Sequence, residues 1–242
     1  MNTLIRIIVS SILSLIMLSC NFSMNLENGV DGSGNVVTVE RDISSDFDQI
    51  KVSQGLDLYI TQSNDVALRI EADENLHDLI MTDVENNILR IYSTENIRRA
   101  SSRKVMLNIN EISTIKATSG SDVFSTNTIE THALELVSTS GANMELDIKT
   151  QSLNCHSTSG SEIKISGTTD ILIASATSGS EIEADKLKAK TSEVKATSGA
   201  DISVNTSKEL TARATSGGDI RYSGNPEKIN KSDTSSGSVR QQ

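Results

Sequence analysis

The sequence predicts an all-β fold, a parallel β-helix wound as a single solenoid, and three observations carry that prediction. Six copies of Thr-Ser-Gly recur with their glycines at Gly120, Gly141, Gly160, Gly179, Gly199 and Gly217, and Thr234-Ser235-Ser236-Gly237 closes the series as a degenerate seventh copy aligned on Gly237. Steps of about 20 residues are the mark of stacked repeats, none of which can bury its own apolar face. Columns of apolar residues keep the same step: Val123, Met144, Ile163, Ile182, Ile202 and Ile220 follow each glycine, while Ile115, Leu136, Cys155, Ala174, Val194 and Ala212 precede it. Leu134, Leu153, Leu172 and Leu210 add a third column in four copies. Polar residues lie between them, which is the two-residue alternation of half-buried strands. A helical reading fails, because a turn glycine interrupts every copy before a useful helix can form.

A coil of about 20 residues has a perimeter near 65 Å at most, which suits a small three-sided coil of short strands. Neighbouring coils then lie about 4.8 Å apart, and the inward columns become continuous aliphatic ladders. Glycine is expected at each corner because it reaches positive φ without a Cβ clash. Three residues earlier stand only Ala or Ser (Ala117, Ser138, Ser157, Ala176, Ala196, Ala214), leaving room where the coil bends inward.

From the N-terminus, Arg6 followed by the apolar run Ile7 to Met17 has the form of a cleaved export signal over residues 1–19, too short to span a bilayer as a mature helix. Cys20 directly after Ser19 resembles the lipobox of bacterial lipoproteins, in which the cysteine is acylated. Several acyl chains on one residue anchor stably, so the expected partner is a membrane, reached through lipid on Cys20. Residues 20–33, rich in Asn, Ser and Gly, read as the lipidated cysteine and a flexible tether, and residues 34–242 as one β-helical domain.

Within that domain the segment Ile50 to Leu58 aligns with Ile115 to Val123, so the first coil is expected near Ile50 and the N-terminal half is read as the same pattern in less regular form. Alternating runs follow at Val66–Ile70, Ile88–Tyr92 and Val105–Ile109, and Asp73–Val84 is the one place for a short helix or capping loop. Pro226, the single proline, falls in the last coil, where a missing N–H does least damage. With only 2% aromatic residues, stacked aliphatic side chains must make the core.

The residues Gly32-Ser33-Gly34-Asn35-Val36-Val37, Phe47 with Ile50-Lys51-Val52, Gly55-Leu56-Asp57-Leu58-Tyr59-Ile60-Thr61-Gln62, Glu71-Ala72-Asp73-Glu74-Asn75-Leu76, the serial corners and Ser236-Gly237-Ser238-Val239-Arg240 resemble the putative auto-transporter adhesin, head GIN domain family of Bacteroidetes. The resemblance implies a right-handed parallel β-helix at the cell envelope, with adhesion as its role. It brings no catalytic or ligand-binding residues and no cofactor.

Composition narrows the partners. A formal charge of −10, one unit more negative once Arg6 is removed with the leader, disfavours nucleic acid. The one basic cluster, Arg98, Arg99, Arg103 and Lys104, reads as a solvated loop rather than a polyanion site. With Cys20 lipidated, Cys155 is left in an inward column as an inert thiol. Two outward ladders are the candidate binding faces. One is acidic (Asp122, Asn143, Glu162, Glu181, Asp201, Asp219). Its stacked charges repel by only about 0.9 kcal/mol each in water, so it needs no metal, and it reads as a solvated face ahead of a row of weak calcium sites. The other is Thr118, Thr139, Thr158, Thr177, Thr197 and Thr215, a structural ladder that also offers hydroxyls to a carbohydrate.

No enzyme is expected. The repeat lengths leave no loop large enough to wall a cleft, and His77, His132 and His156 are scattered with no fixed partner. The function that follows is an outer-membrane, envelope-anchored lipoprotein acting as a non-catalytic adhesion or binding module, with a carbohydrate or protein ligand. The alternative is a structural scaffold of the outer membrane or periplasm without an extracellular ligand.

Overall fold

The computed structural model describes residues 29–234 and 236–242. The expected leader over residues 1–19, the expected lipidation site Cys20 and the part of the expected tether up to residue 28 lie outside the described residues. In chain order the strands are β1 (Val30–Asp31), β2 (Val36–Arg41), β3 (Gln49–Val52), β4 (Asp57–Gln62) and β5 (Ala67–Asp73). A 3-10 turn at Glu74–Leu76, inside the segment expected to interrupt the coils, leads to β6 (Ile80–Glu85), β7 (Ile88–Ser93), β8 (Ile97–Arg99) and β9 (Arg103–Ile109). The repeats supply β10 (Thr114–Thr118), β11 (Asp122–Ser125), β12 (Ile129–Thr139), β13 (Asn143–Thr158), β14 (Glu162–Thr177), β15 (Glu181–Thr197), β16 (Asp201–Thr215), β17 (Asp219–Ser223), β18 (Lys228–Thr234) and β19 (Ser238–Gln241). There is no α-helix among the described residues.

The coils stack as a parallel β-solenoid of about 7 turns, roughly 19 residues apart. All three inward columns fall where the periodicity put them: Ile182, Ile163, Leu136, Cys155 and Leu153 are fully buried. Where the third column lacks its leucine, Ser192 is buried instead and satisfied by Thr206, their hydroxyls 2.6 Å apart.

Each corner is more specific than a glycine bend. Ser159 and Gly160 both take left-handed φ, 59° and 69°. Two consecutive left-handed residues reverse the chain tightly, and the N–H of Gly160 donates to the carbonyl of Ser178 in the next coil at 3.2 Å. Serine tolerates this conformation at some cost, and the inter-coil bond repeats up the stack. Just past the glycine runs a further buried small-residue column, Ser121, Ala142, Ser161, Ser180 and Ala200.

Gly218 continues that column, where a Cβ would come within 2.5 Å of the Ala196 carbonyl oxygen. This corrects the register of the seventh copy. Thr215 pairs with Thr234 and Asp219 with Ser238, so Gly237 matches Gly218, and Ser236 stands where the other copies have their corner glycine.

The strands are longer than the short sides expected. β13, β14, β15 and β16 span 16, 16, 17 and 15 residues, so each runs unbroken from one corner to the next. Successive coils bend at the same register, and the pairing skips one step at the bend, between Thr150↔Thr169 and Ser152↔Ile171, before it resumes. A second column of threonines fastens one such bend: Thr150 Oγ1 donates to the carbonyls of His132 and Ser152 at 3.0 and 3.1 Å, and Thr169 Oγ1 to that of Ile171 at 3.0 Å. The extra residue of β15 is taken up as a bulge around Asp185, where the pairing with β14 shifts.

The N-terminal half departs from a simple continuation of the repeat. Ile50 pairs with Ile115 and Leu58 with Val123, as the alignment implied. On its other side, however, β3 pairs with β7 and β4 with β9, both parallel. The coil formed by β3 and β4 therefore lies between one built later from β7 and β9 and one built from β10 and β11. Beyond it β2, β5 and β6 pair antiparallel, which closes that end of the stack. At the other end Leu210, Ala212 and Ala214 are followed by Ile229, Lys231 and Asp233, so the core column turns charged and β18 is wholly exposed. Lys231 Nζ sits 4.8 Å from the centre of the Tyr222 ring. Charges on the last coil blunt an edge that would otherwise template further strands.

Candidate functional site

The outward columns of β4, β9, β11 and β13 to β17 form one sheet face. In its first row Lys104, Asp57, Asp122, Asn143, Glu162, Glu181, Asp201 and Asp219 are neighbours strand by strand. The acidic ladder is thus real and one residue longer than the repeats alone suggested. Asn143 interrupts its charge by donating Nδ2–H to Asp122 Oδ1 at 2.8 Å. Carboxylate oxygens of Glu162, Glu181 and Glu183 lie within 4.8 Å of one another. Lys164 sits among them, its Nζ 2.9 Å from Glu162 and 3.8 Å from Glu183. The hydrogen bond to Glu162, and the charges of Glu162 and Glu183, hold the Lys164 ammonium above its ordinary pKa. Burial, then Glu183, Glu162 and Asp201, push the Glu181 carboxyl up. The chain therefore supplies its own cation to this cluster.

The threonine ladder is in register from Thr118 to Thr234. Thr215 Oγ1 donates to Thr197 Oγ1 at 3.0 Å, whereas Thr158 meets its own neighbour Ser159 at 3.4 Å. The hydroxyls serve the corner.

A feature that repeat counting passed over is the row Arg69, Met106, Tyr59, Phe124, which crosses β5, β9, β4 and β11. Tyr59 and Phe124 stack with ring centres 5.1 Å apart and planes at 25°. Beside them opens a cavity of about 460 Å³ lined by Tyr59, Arg69, Lys104, Met106 and Asn108 among others. The signal was present in the alternation: Leu58 and Ile60 point inward, so Tyr59 must point out.

The family-like segments around Gly32 and Asp73 meet in one latch. Asp73 is fully buried, and its carboxylate accepts N–H bonds from Gly34 at 2.5 Å, Ser101 at 2.7 Å and Ser102 at 3.3 Å. Ser33 N–H donates to Asn75 Oδ1 at 2.8 Å, and β1 pairs parallel with β8. Residues 30–33, expected to end the tether, thus belong to the fold. The basic cluster is spent on this end of the molecule too. Arg98 pairs with Asp31 through Nε at 2.9 Å, and Lys104 Nζ lies 3.4 Å from Glu71.

Burial pushes the Asp73 carboxyl up, but the N–H donors of Ser101, Gly34 and Ser102 outweigh it and hold the group below its ordinary value of 3.8. A depressed carboxyl stabilises fully above its unfolded pKa, and that contribution is lost as pH falls through the folded value. Amide exchange at Gly34, Ser101 and Ser102 is expected to accelerate below pH 3.8 in advance of the repeats. Asp73→Asn should show the same loosening at neutral pH, and uniform acid unfolding of all coils would show that the latch has no separate role.

No catalytic grouping emerges among the described residues. His77 is buried, with Nε2 3.2 Å from the Val37 carbonyl oxygen. His132 and His156 are exposed on different parts of the coil. Cys155 is fully buried, and burial pushes its thiol far up.

Solved structures share this architecture. A putative adhesin from Bacteroides fragilis superposes with TM-score 0.82 at 24% identity, over 88% of this chain and 100% of its own. A putative lipid binding protein from Parabacteroides distasonis gives TM-score 0.73 at 26% identity, over 88% of this chain and 99% of its own. A putative adhesin from Parabacteroides merdae gives 0.71 at 22%, over 89% and 99%. No curated protein matches the chain. The family described as "Putative auto-transporter adhesin, head GIN domain" matches residues 46–226, from the start of the first coil to Pro226. That span covers more than half of the sequence and contains every Thr-Ser-Gly corner, so the chain belongs to the auto-transporter adhesin head GIN domain family.

Proposed function

We propose that this protein is a lipoprotein anchored in the outer membrane through Cys20, acting as a non-catalytic adhesion or binding module that presents the outer faces of its coils. The observation that carries this reading is the surface itself. From β10 to β19 the corners repeat with little variation and no long loop interrupts them, so what the molecule offers is regular columns of side chains at strand spacing rather than a walled cleft. Membership of a family named for adhesion agrees with it, as do the neighbours' names, adhesin and lipid binding protein. No helix among the described residues is long and apolar enough to cross a membrane. Acyl groups on Cys20 would then supply the attachment.

Two measurements test the two halves of the proposal. Cys20→Ala is expected to move the protein from the membrane fraction to the soluble fraction after a carbonate wash, and retention would rule out that anchor. Protease shaving of intact cells is expected to remove the wild-type protein. Full protection in intact cells, with digestion after lysis, would favour an internal scaffold instead.

A further inference from the structure

We propose that the uncovered face of Tyr59, above Met106 and opposite Arg69, is a subsite for one pyranose ring of a neutral glycan; this rests on the binding-module reading and names its ligand class. The chain has three Tyr and three Phe in all, and it places two of these six beside each other on the outside of a sheet. The core does not need them, because Leu58, Ile60 and Val123 fill the inward positions of the same strands. Rings with centres 5.1 Å apart and planes at 25° are too close to lie side by side on the sheet, so they stand upright, face against face. Phe124 covers one face of Tyr59. The other face looks along the row toward Met106, its partner on β9, and Arg69, the partner of Met106 on β5.

The cavity of about 460 Å³ occupies that gap. Two strand spacings, roughly 9.5 Å, separate the wall made by Tyr59 from that made by Arg69. A flat aromatic held by van der Waals contact on both sides fills only about 7 Å, so a puckered, thicker ring is the better fit. A sugar ring also has the matching chemistry: an apolar C–H face for Tyr59 and Met106, and hydroxyls around its edge. Polar groups wait on both flanks. Lys104 and Glu71 lie 3.4 Å apart on one side. On the other are Asn108 and Thr61, whose Oγ1 lies 2.6 Å from Thr126 Oγ1.

The charges argue for a neutral ligand, since Lys104 is matched by Glu71 and Arg69 by Glu40 at 3.3 Å. An acyl chain fits poorly, because the apolar strip is one side chain wide with charged or amide groups on either side, and hydrocarbon burial needs an apolar trough.

The test is saturation-transfer NMR and titration of the full chain with neutral β-glucan, mannan and galactan oligosaccharides, with uronic-acid oligosaccharides and phosphatidylcholine vesicles alongside. At least one neutral oligosaccharide is expected to bind, with transfer strongest to sugar C–H protons. Tyr59→Ala should weaken it by at least about tenfold. Tyr222→Phe should bind as the wild type, and thermal melts should show that the Tyr59 variant remains folded. If Tyr59→Ala fails to fold, Met106→Lys, which puts a hydrated ammonium where the apolar floor of the cavity was, is expected to give the same loss. Oligosaccharide binding that survives both substitutions would overturn the subsite while leaving the binding module intact. Binding of no neutral oligosaccharide, or Tyr59-dependent binding of vesicles or of a second copy of the chain, would overturn the ligand assignment.

Discussion

Ile182→Asp is expected to unfold the middle of the solenoid, costing about 4 kcal/mol or more, a large part of the 5–15 kcal/mol that holds a typical domain together. Ile182 is fully buried, with Ile163 above it and Ile202 below in the ladder, so a carboxylate there has no partner and no route to water. The coils on either side cannot relax independently, because each buries its apolar face only against its neighbours. Its chain neighbour makes the control. Glu181 faces outward, and its carboxyl is held up by burial and then by Glu183, Glu162 and Asp201, so its charge works against folding at neutral pH. Glu181→Ala should therefore lie within about 0.5 kcal/mol of the wild type, on the stabilising side. Urea melts decide between them, and equal destabilisation by the two changes would mean that the inward and outward columns are misassigned.

The second large effect is expected at Gly167. Its φ of 110° belongs to a region open almost only to glycine, and a Cβ there would stand 1.9 Å from the carbonyl oxygen of Ile148 in the preceding coil. That oxygen belongs to backbone, which cannot swing aside as a side chain would. Gly167→Ala should cost about 3 kcal/mol or more, from strain and from the ladder bonds it forces open. The corner glycine Gly179 is the contrast: φ is 68° and nothing lies within 4 Å of the added methyl group. Gly179→Ala should cost about 1 kcal/mol, the backbone term alone. Similar midpoints for the two variants would show that the bend at Gly167 yields more easily than its geometry implies.

Much of this was legible in the sequence because a solenoid writes its contacts at a constant separation. A column such as Val123, Met144, Ile163, Ile182 announces both its burial and its neighbours. Two kinds of feature escaped. The first depends on contacts with no period: the latch joining Gly34 and Ser101 to Asp73, and the placement of β7 beneath β3, bring together residues whose separation is not a repeat length. The second is hidden by alternation itself. Counting every second residue marks Tyr59, Met106 and Phe124 as outward but says nothing of their meeting, since they lie on three strands that are not successive in the chain. The one-residue slip in the seventh copy has a similar origin, because Ser236 adopts the left-handed turn that elsewhere belongs to glycine, with φ of 69°.

The order of coils also constrains when the molecule can close. Ile50 pairs with Leu89 on one side and Ile115 on the other, so a chain that emerges N-terminus first presents β3 long before either neighbour exists. Until Leu89 has been made this strand has two open edges, and until Ile115 follows it still has one, a state that invites pairing with the wrong chain. Each later coil, by contrast, meets a finished template as soon as it appears. The hazardous interval in the life of this protein therefore lasts until β10 is made, and a chaperone that shields the chain during synthesis would have its task finished once β10 docks.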